Sequence, residues 1–188
     1  MSGAETGSGI IAYQKITRPV FNCCVRYKLA WNTMNTEEFK ALLKPVTDLV
    51  AASDINQQLA TSLNAEFPAD GALFATIENA CHEAISEGWM CSQGGSGRRF
   101  GRVIEPCAET GMLSVDVVDL ENIVGPHHRH PTGEVCMVMP GASEALFDGN
   151  GRGWCVNEPG SDHRPTVTNG QALVLYMLPQ GRIEFTGQ

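Results

Sequence analysis

Four of the five histidines, His127, His128, His130 and His163, lie close together in the second half of the chain. Three of them share the run GPHHRHPTGEVCMVMPG (125–141) with Glu134. On an extended strand, residues of equal parity share a face, so His128, His130, Glu134 and Cys136 would point the same way. A turn at Pro131-Thr132-Gly133 can shift that phase. Two neutral imidazoles, one carboxylate and a third imidazole from His163 on a neighbouring strand form an N/O donor set for a divalent first-row metal: Zn, Mn, Fe, Ni or Co. The competing reading is a polar hydrogen-bonded network in the mouth of a barrel. His82, alone in a helical stretch, is read as an ordinary surface or core histidine.

The elements that must position these groups follow from periodicity. From Asn35 to Gly88 the apolar spacing is helical. Asn35 stands as an N-cap with Glu38 in capping-box register, followed by Phe39, Leu42, Leu43, Val46 and Leu49. Pro45 predicts a kink or a split into two short helices. Asp54 is the expected cap of a second helix carrying Ile55, Leu59 and Leu63. A third helix is expected over 71–87, stopped by Gly88. Beyond Gly88 the period becomes two. QGGSG (93–97) reads as a hairpin turn, and LSVDVVDL (113–120), EVCMVM (134–139), GWCV (153–156), QALVLYML (171–178) and RIEF (182–185) read as short strands. Many short strands with regular turns indicate a sandwich or barrel. ALVLYML is apolar on both faces, so one face fills the barrel and the N-terminal helices cover the other. The chain thus divides into a tail or arm at 1–32, Gly/Ser-rich and expected to be partly disordered, a helical region at 33–88 and a barrel at 89–188.

Composition excludes several functions. A chain of 188 residues is about one domain and buries roughly 70% of its unfolded surface. Its net charge of −8 argues against nucleic acid and anionic membrane as partners. The longest apolar run is Ala172 to Leu178, too short to span a bilayer. The N-terminus has no basic stretch followed by an apolar core, so no secretion signal is expected. The seven cysteines are odd in number and lack a C-x-x-C pair, which predicts buried thiols in a reducing, cytoplasmic setting.

Two resemblances follow from the quoted residues. HxHxxxExxxxxxG (His128, His130, Glu134, Gly141) resembles the first motif of the cupin superfamily, and GWCVNEPGSDH (153–163) resembles the second. Asn122, the adjacent Pro159-Gly160 and Val167 depart from the usual pattern. More specifically, RFGRVIEP, SVDVVDLENIVGPHHRHPTGEVCMVMP, PGSDHRPTV and ALVLYMLPQGRIEF, after a helical stretch ending EGWMC, are similar to the 4-hydroxylaminobenzoate lyase family over about residues 33–186. The resemblance implies a mainly β protein with α: a cupin-like double-stranded β-helix (jelly-roll barrel) preceded by a layer of about three helices. It implies one divalent metal ion on His128, His130, Glu134 and His163, and no organic cofactor. It also implies conversion of 4-hydroxylaminobenzoate to 3,4-dihydroxybenzoate with release of ammonia, in bacterial degradation of 4-nitrobenzoate.

That chemistry assigns roles. The substrate carboxylate calls for a cation, and after Lys44 the chain carries seven arginines and no lysine. Planar guanidinium groups suit bidentate carboxylate recognition. Arg102 and Arg164 lie inside the family-like motifs; Arg99 and Arg129 are further candidates. His127 is a candidate proton donor to the departing oxygen, and Glu134 a candidate base if it is not bound to metal. A homodimer or higher homo-oligomer is expected. Another metal-dependent cupin reaction, such as a dioxygenation, and a non-catalytic aromatic-acid-binding cupin use the same residues.

Overall fold

The structure, a computed structural model, describes residues 34–187. The expected tail or arm at residues 1–32 lies outside the described residues. Helix α1 (Thr36–Ala51) begins at the capping box. Asn35 Oδ1 accepts from the Glu37 and Glu38 amides at 2.9 and 3.0 Å, and the Glu38 carboxylate accepts from the Asn35 amide at 2.9 Å. The helix runs unbroken through Pro45, contrary to the expected kink or split. Pro45 and Ala41 both lie on the exposed side, so the carbonyl that loses its donor can face water.

Helix α2 (Gln57–Glu66) is capped by Asn56 and not by Asp54: the Asn56 side chain accepts from the Gln58 and Leu59 amides. Helix α3 (Ala72–Glu87) ends at Gly88, whose φ of 84° is the left-handed stop that glycine adopts without a Cβ clash. No helix among the described residues is long and apolar enough to cross a membrane.

Among the described residues eleven strands follow: β1 (Gln93–Gly95), β2 (Arg98–Ile104), β3 (Leu113–Glu121), β4 (His128–His130), β5 (Glu134–Pro140), β6 (Leu146–Phe147), β7 (Gly153–Asn157), β8 (Ser161–His163), β9 (Val167–Thr168), β10 (Gln171–Pro179) and β11 (Glu184–Phe185). A six-stranded sheet has the order β1-β2-β3-β10-β5-β7; β11-β4-β8 and β6-β9 form smaller sheets. All named pairings are antiparallel.

The larger sheet is apolar on both faces because both are covered. Cys136, Val138, Val174, Tyr176 and Leu178 pack with Phe147 of β6 and Val167 of β9 to fill the barrel. The odd-numbered residues, Val115, Val117, Val135, Met137, Leu175 and Met177, pack against Phe39, Leu43, Leu63, Phe74 and Ile77 of the helices. The edge strand β7 is sealed by α2. Asn64 donates to the Trp154 carbonyl at 2.8 Å and accepts from its amide at 3.1 Å, while Gln57 donates to the Val156 carbonyl at 3.2 Å. An edge capped in this way offers no free ladder to another chain at those groups. The architecture is a cupin-like jelly-roll barrel with three helices layered on the outer face of its larger sheet.

Candidate metal centre

Strand β4 presents His128 and His130 on one side and Arg129 on the other, as a pleat requires. β8 pairs with it so that His163 lies directly across from His128. Glu134 opens β5 in the larger sheet, so the chain must turn a corner between sheets within Pro131-Thr132-Gly133. Gly133 makes that turn with φ 83°; a Cβ there would lie 2.6 Å from the Ile55 side chain. The Thr132 hydroxyl donates to the Pro179 carbonyl at 2.9 Å and holds the corner against the end of β10.

The four groups converge. His128 Nε2 and His130 Nε2 stand 2.9 and 3.1 Å from His163 Nε2. Glu134 oxygens lie 3.4 Å from His130 Nε2 and 3.8 Å from His163 Nε2. One donor atom from each residue lies within 4.8 Å of all the others. His128, His130 and Glu134 are buried.

The outer nitrogens fix the orientation of two rings. His128 Nδ1 donates to the Pro126 carbonyl at 3.1 Å, and His163 Nδ1 donates to Asp148 at 2.7 Å, which turns both Nε2 lone pairs inward. Asp148 is itself held by the Thr166 amide at 2.7 Å. Asn157 donates to Glu134 at 2.7 Å. Burial, reinforced by neighbouring imidazoles, pushes His128 down to about 4 and His130 down to about 3, so both are neutral at pH 7. Burial raises the Glu134 carboxyl above its ordinary range. At His163 burial acts downward, but the Asp148 hydrogen bond and the Glu134 and aspartate charges outweigh it, and the net shift is upward. Several lone pairs crowded together in a buried space repel one another unless a proton or cation lies among them. This donor set, with neutral imidazoles and a carboxylate, fits a divalent ion.

A cavity of about 370 Å³ opens from this centre. His128 and Glu134 line it together with the ring surfaces of Phe100, Tyr176 and Phe185 and with Arg98, Arg102 and Asp116. Of the arginines expected to meet a carboxylate, Arg102 reaches this cavity. Arg99 lies on the opposite face of the sheet, because it differs from Arg102 in parity, and is paired there with Asp119. Arg129 points out of β4, 3.7 Å from Asp162. Arg164 is exposed and outside the cavity lining. His127 is also outside that lining, with Nδ1 2.6 Å from the Thr186 hydroxyl and Nε2 3.4 Å from Asp162.

Two residues at the site, Asp148 and Asn157, carried little sequence signal. Asp148 sits in a turn-like FDGNG run, with nothing to relate it to His163. Asn157 lies at a strand end. Arg98 was legible in hindsight, since R-x-F-x-R (98–102) places both arginines and Phe100 on one face of β2.

Fold and site together define a cupin-like barrel whose His-His-Glu-His group is able to hold a divalent metal ion. The PnbB family, described as 4-hydroxylaminobenzoate lyase, matches residues 41–185. The chain is 33% identical over 163 residues to a 4-hydroxylaminobenzoate lyase of Pseudomonas putida, covering 78% of this chain and 90% of that relative. It is 30% identical over 132 residues to one of Nocardioides sp. (strain LMS-CY), covering 65% and 78%. This chain belongs to the 4-hydroxylaminobenzoate lyase family. Solved structures similar to it include an RmlC-like cupin protein from Ralstonia eutropha JMP134, with TM-score 0.37, 8% identity and coverage of 48% of this chain and 60% of that one. The polyketide cyclase RemF from Streptomyces resistomycificus matches with TM-score 0.36, 15% identity and coverage of 50% and 73%.

Proposed function

We propose that this chain is a metal-dependent lyase that converts 4-hydroxylaminobenzoate and water to 3,4-dihydroxybenzoate and ammonia, within the breakdown of nitroaromatic acids. The observation that carries this reading is a cavity lined by His128 and Glu134 of the four-donor centre together with aromatic and aliphatic side chains and two arginines, Arg98 and Arg102. The free thiols of the described cysteines fit a reducing, cytoplasmic setting.

The reaction breaks the N–O bond heterolytically, with the oxygen leaving as water after it gains a proton. Water then adds at the ring carbon beside the one bearing nitrogen, hydrolysis of the resulting imine releases ammonia, and loss of the proton on the newly hydroxylated carbon restores the ring as the catechol. One water is consumed overall. His128, His130, Glu134 and His163 would hold a divalent ion, which would supply Lewis acidity for the departure of the oxygen.

The chain's own residues supply the rest. Phe100, Tyr176 and Phe185 line the cavity and offer ring surfaces against which an aromatic substrate can pack. Asn157 orients Glu134, and Asp148 orients His163. As a ligand of that ion Glu134 would be ionised and committed to it, so it is given no separate proton-transfer role. His127 is not given the proton-donating role, because its ring is engaged by Thr186 and Asp162 outside the cavity lining.

Incubation with 4-hydroxylaminobenzoate under air and under nitrogen tests the reading. Ammonia and 3,4-dihydroxybenzoate are expected in equal amounts, at the same rate in both atmospheres. Oxygen uptake in step with substrate loss would point instead to a dioxygenase.

A further inference from the structure

We propose that Arg98 holds the carboxylate of the aromatic substrate at the exposed end of the cavity and thereby selects aromatic acids over their neutral analogues. The assignment rests on the reading of the cavity as a site for an aromatic carboxylate. Arg98, Phe100 and Arg102 lie on one face of β2, across from Leu120, Val118 and Asp116 of β3, and all six line the cavity.

The two arginines differ electrically. Arg102 is already engaged: its guanidinium donates to Asp116 at 2.9 Å, to Glu105 at 3.2 Å and to the Gly181 carbonyl at 3.1 Å. A substrate carboxylate arriving there would meet two anions and compete for donors in use. Arg98 has no acidic partner among the described residues. Its guanidinium lies over the Phe100 ring, 5.3 Å from the centroid. That contact limits the side chain's rotamers while leaving its N–H edges free to take a carboxylate bidentately. Leu120 and Val118 beside it lower the local dielectric and strengthen such a pair. A para-substituted benzoate with its acid on Arg98 would occupy the same cavity that His128 and Glu134 line.

The probes are 4-hydroxybenzoate and its neutral amide, 4-hydroxybenzamide, bound to purified protein and followed by calorimetry. Wild type is expected to prefer the acid. Arg98→Gln is expected to weaken acid binding by about ten- to hundredfold, the loss of a charge-assisted pair, and to leave the amide unchanged. Arg98→Lys is expected to fall between, and Arg102→Gln to keep the acid preference. Acid binding by Arg98→Gln equal to wild type would overturn the proposal, and would mean that the carboxylate is held elsewhere, for instance at the metal centre. Loss of acid preference in Arg102→Gln alone, equal loss for the amide, or no acid preference in wild type would also overturn it.

The lyase reading fails separately. Wild type with the Arg98-dependent acid preference but no ammonia release would keep the carboxylate site and reject the reaction. Ammonia release with an unchanged KM in Arg98→Gln would keep the reaction and reject the site.

Discussion

Asp148 and His163 form a hydrogen bond of 2.7 Å across the barrel mouth, and the second Asp148 oxygen is fixed by the Thr166 amide. The carboxylate thus sets both the tautomer and the direction of a ring whose Nε2 faces three other donor atoms. Partners of this kind govern metal affinity without touching the ion. We expect Asp148→Asn to weaken metal binding by about 10–100-fold while thermal stability changes little, measured by competition with a chromophoric chelator. Unchanged affinity would show that His163 is held by β8 alone.

Removing a donor should act more severely. His130 and Glu134 are both buried, and each contributes one of four converging atoms. His130→Ala and Glu134→Ala are each expected to lose most bound metal and most ammonia release, with the far-ultraviolet circular dichroism of the barrel retained. Elemental analysis of the purified variants checks the first point. Full metal content in either variant would remove that residue from the ligand set.

The same burial creates a pH dependence in protein stripped of metal. His130 titrates near 6.5 in the unfolded chain but is held down to about 3 when folded. Between those values the unfolded chain binds a proton that the folded one does not, so acidification favours unfolding. The stability contributed by neutral His130 is complete above pH 6.5 and is lost as the pH falls toward about 3. Urea titrations of chelated protein between about pH 4 and pH 6 should show a slope shallower by about 1.4 kcal/mol per pH unit in His130→Gln than in wild type. Equal slopes would mean that His130 titrates normally in the folded state.

Part of the site was legible from spacing alone. His128, His130 and Glu134 have equal parity, and the turn at Gly133 carries the chain between sheets while leaving all three donors facing one centre. The double-sided apolar run in β10 correctly called for helices on its outer face. Other features depend on contacts distant in sequence. Asp148 meets His163 only because β6 and β8 lie near each other in the closed barrel, and no local pattern encodes that. Pro45 reads as a kink or split because local rules do not register that it and Ala41 lie on the exposed side of the helix. Asp54 reads as the cap of the second helix, yet the cap is Asn56, two residues further on. Arg99 and Arg102 look equivalent as sequence, yet the pleat sends them to opposite faces.

The helical layer makes its own testable contribution. Asn64 satisfies the amide and carbonyl of Trp154 on the edge strand β7, and Gly153 beside it leaves no Cβ to block the approach. Asn64→Leu should cost about 1–3 kcal/mol, because two edge groups lose their partner. Chemical denaturation measures this. Light scattering should also show more self-association, since the strand edge is then open. A neutral effect on both would assign the sealing of β7 to Gln57 and packing alone.

The most direct measurement is a metal titration of chelated protein with 4-hydroxylaminobenzoate present, following ammonia and 3,4-dihydroxybenzoate. We expect no turnover without metal and a linear return of activity that saturates at one divalent ion per chain. Full ammonia release from metal-free protein, or saturation by metal without any ammonia, would contradict a catalytic centre built on His128, His130, Glu134 and His163.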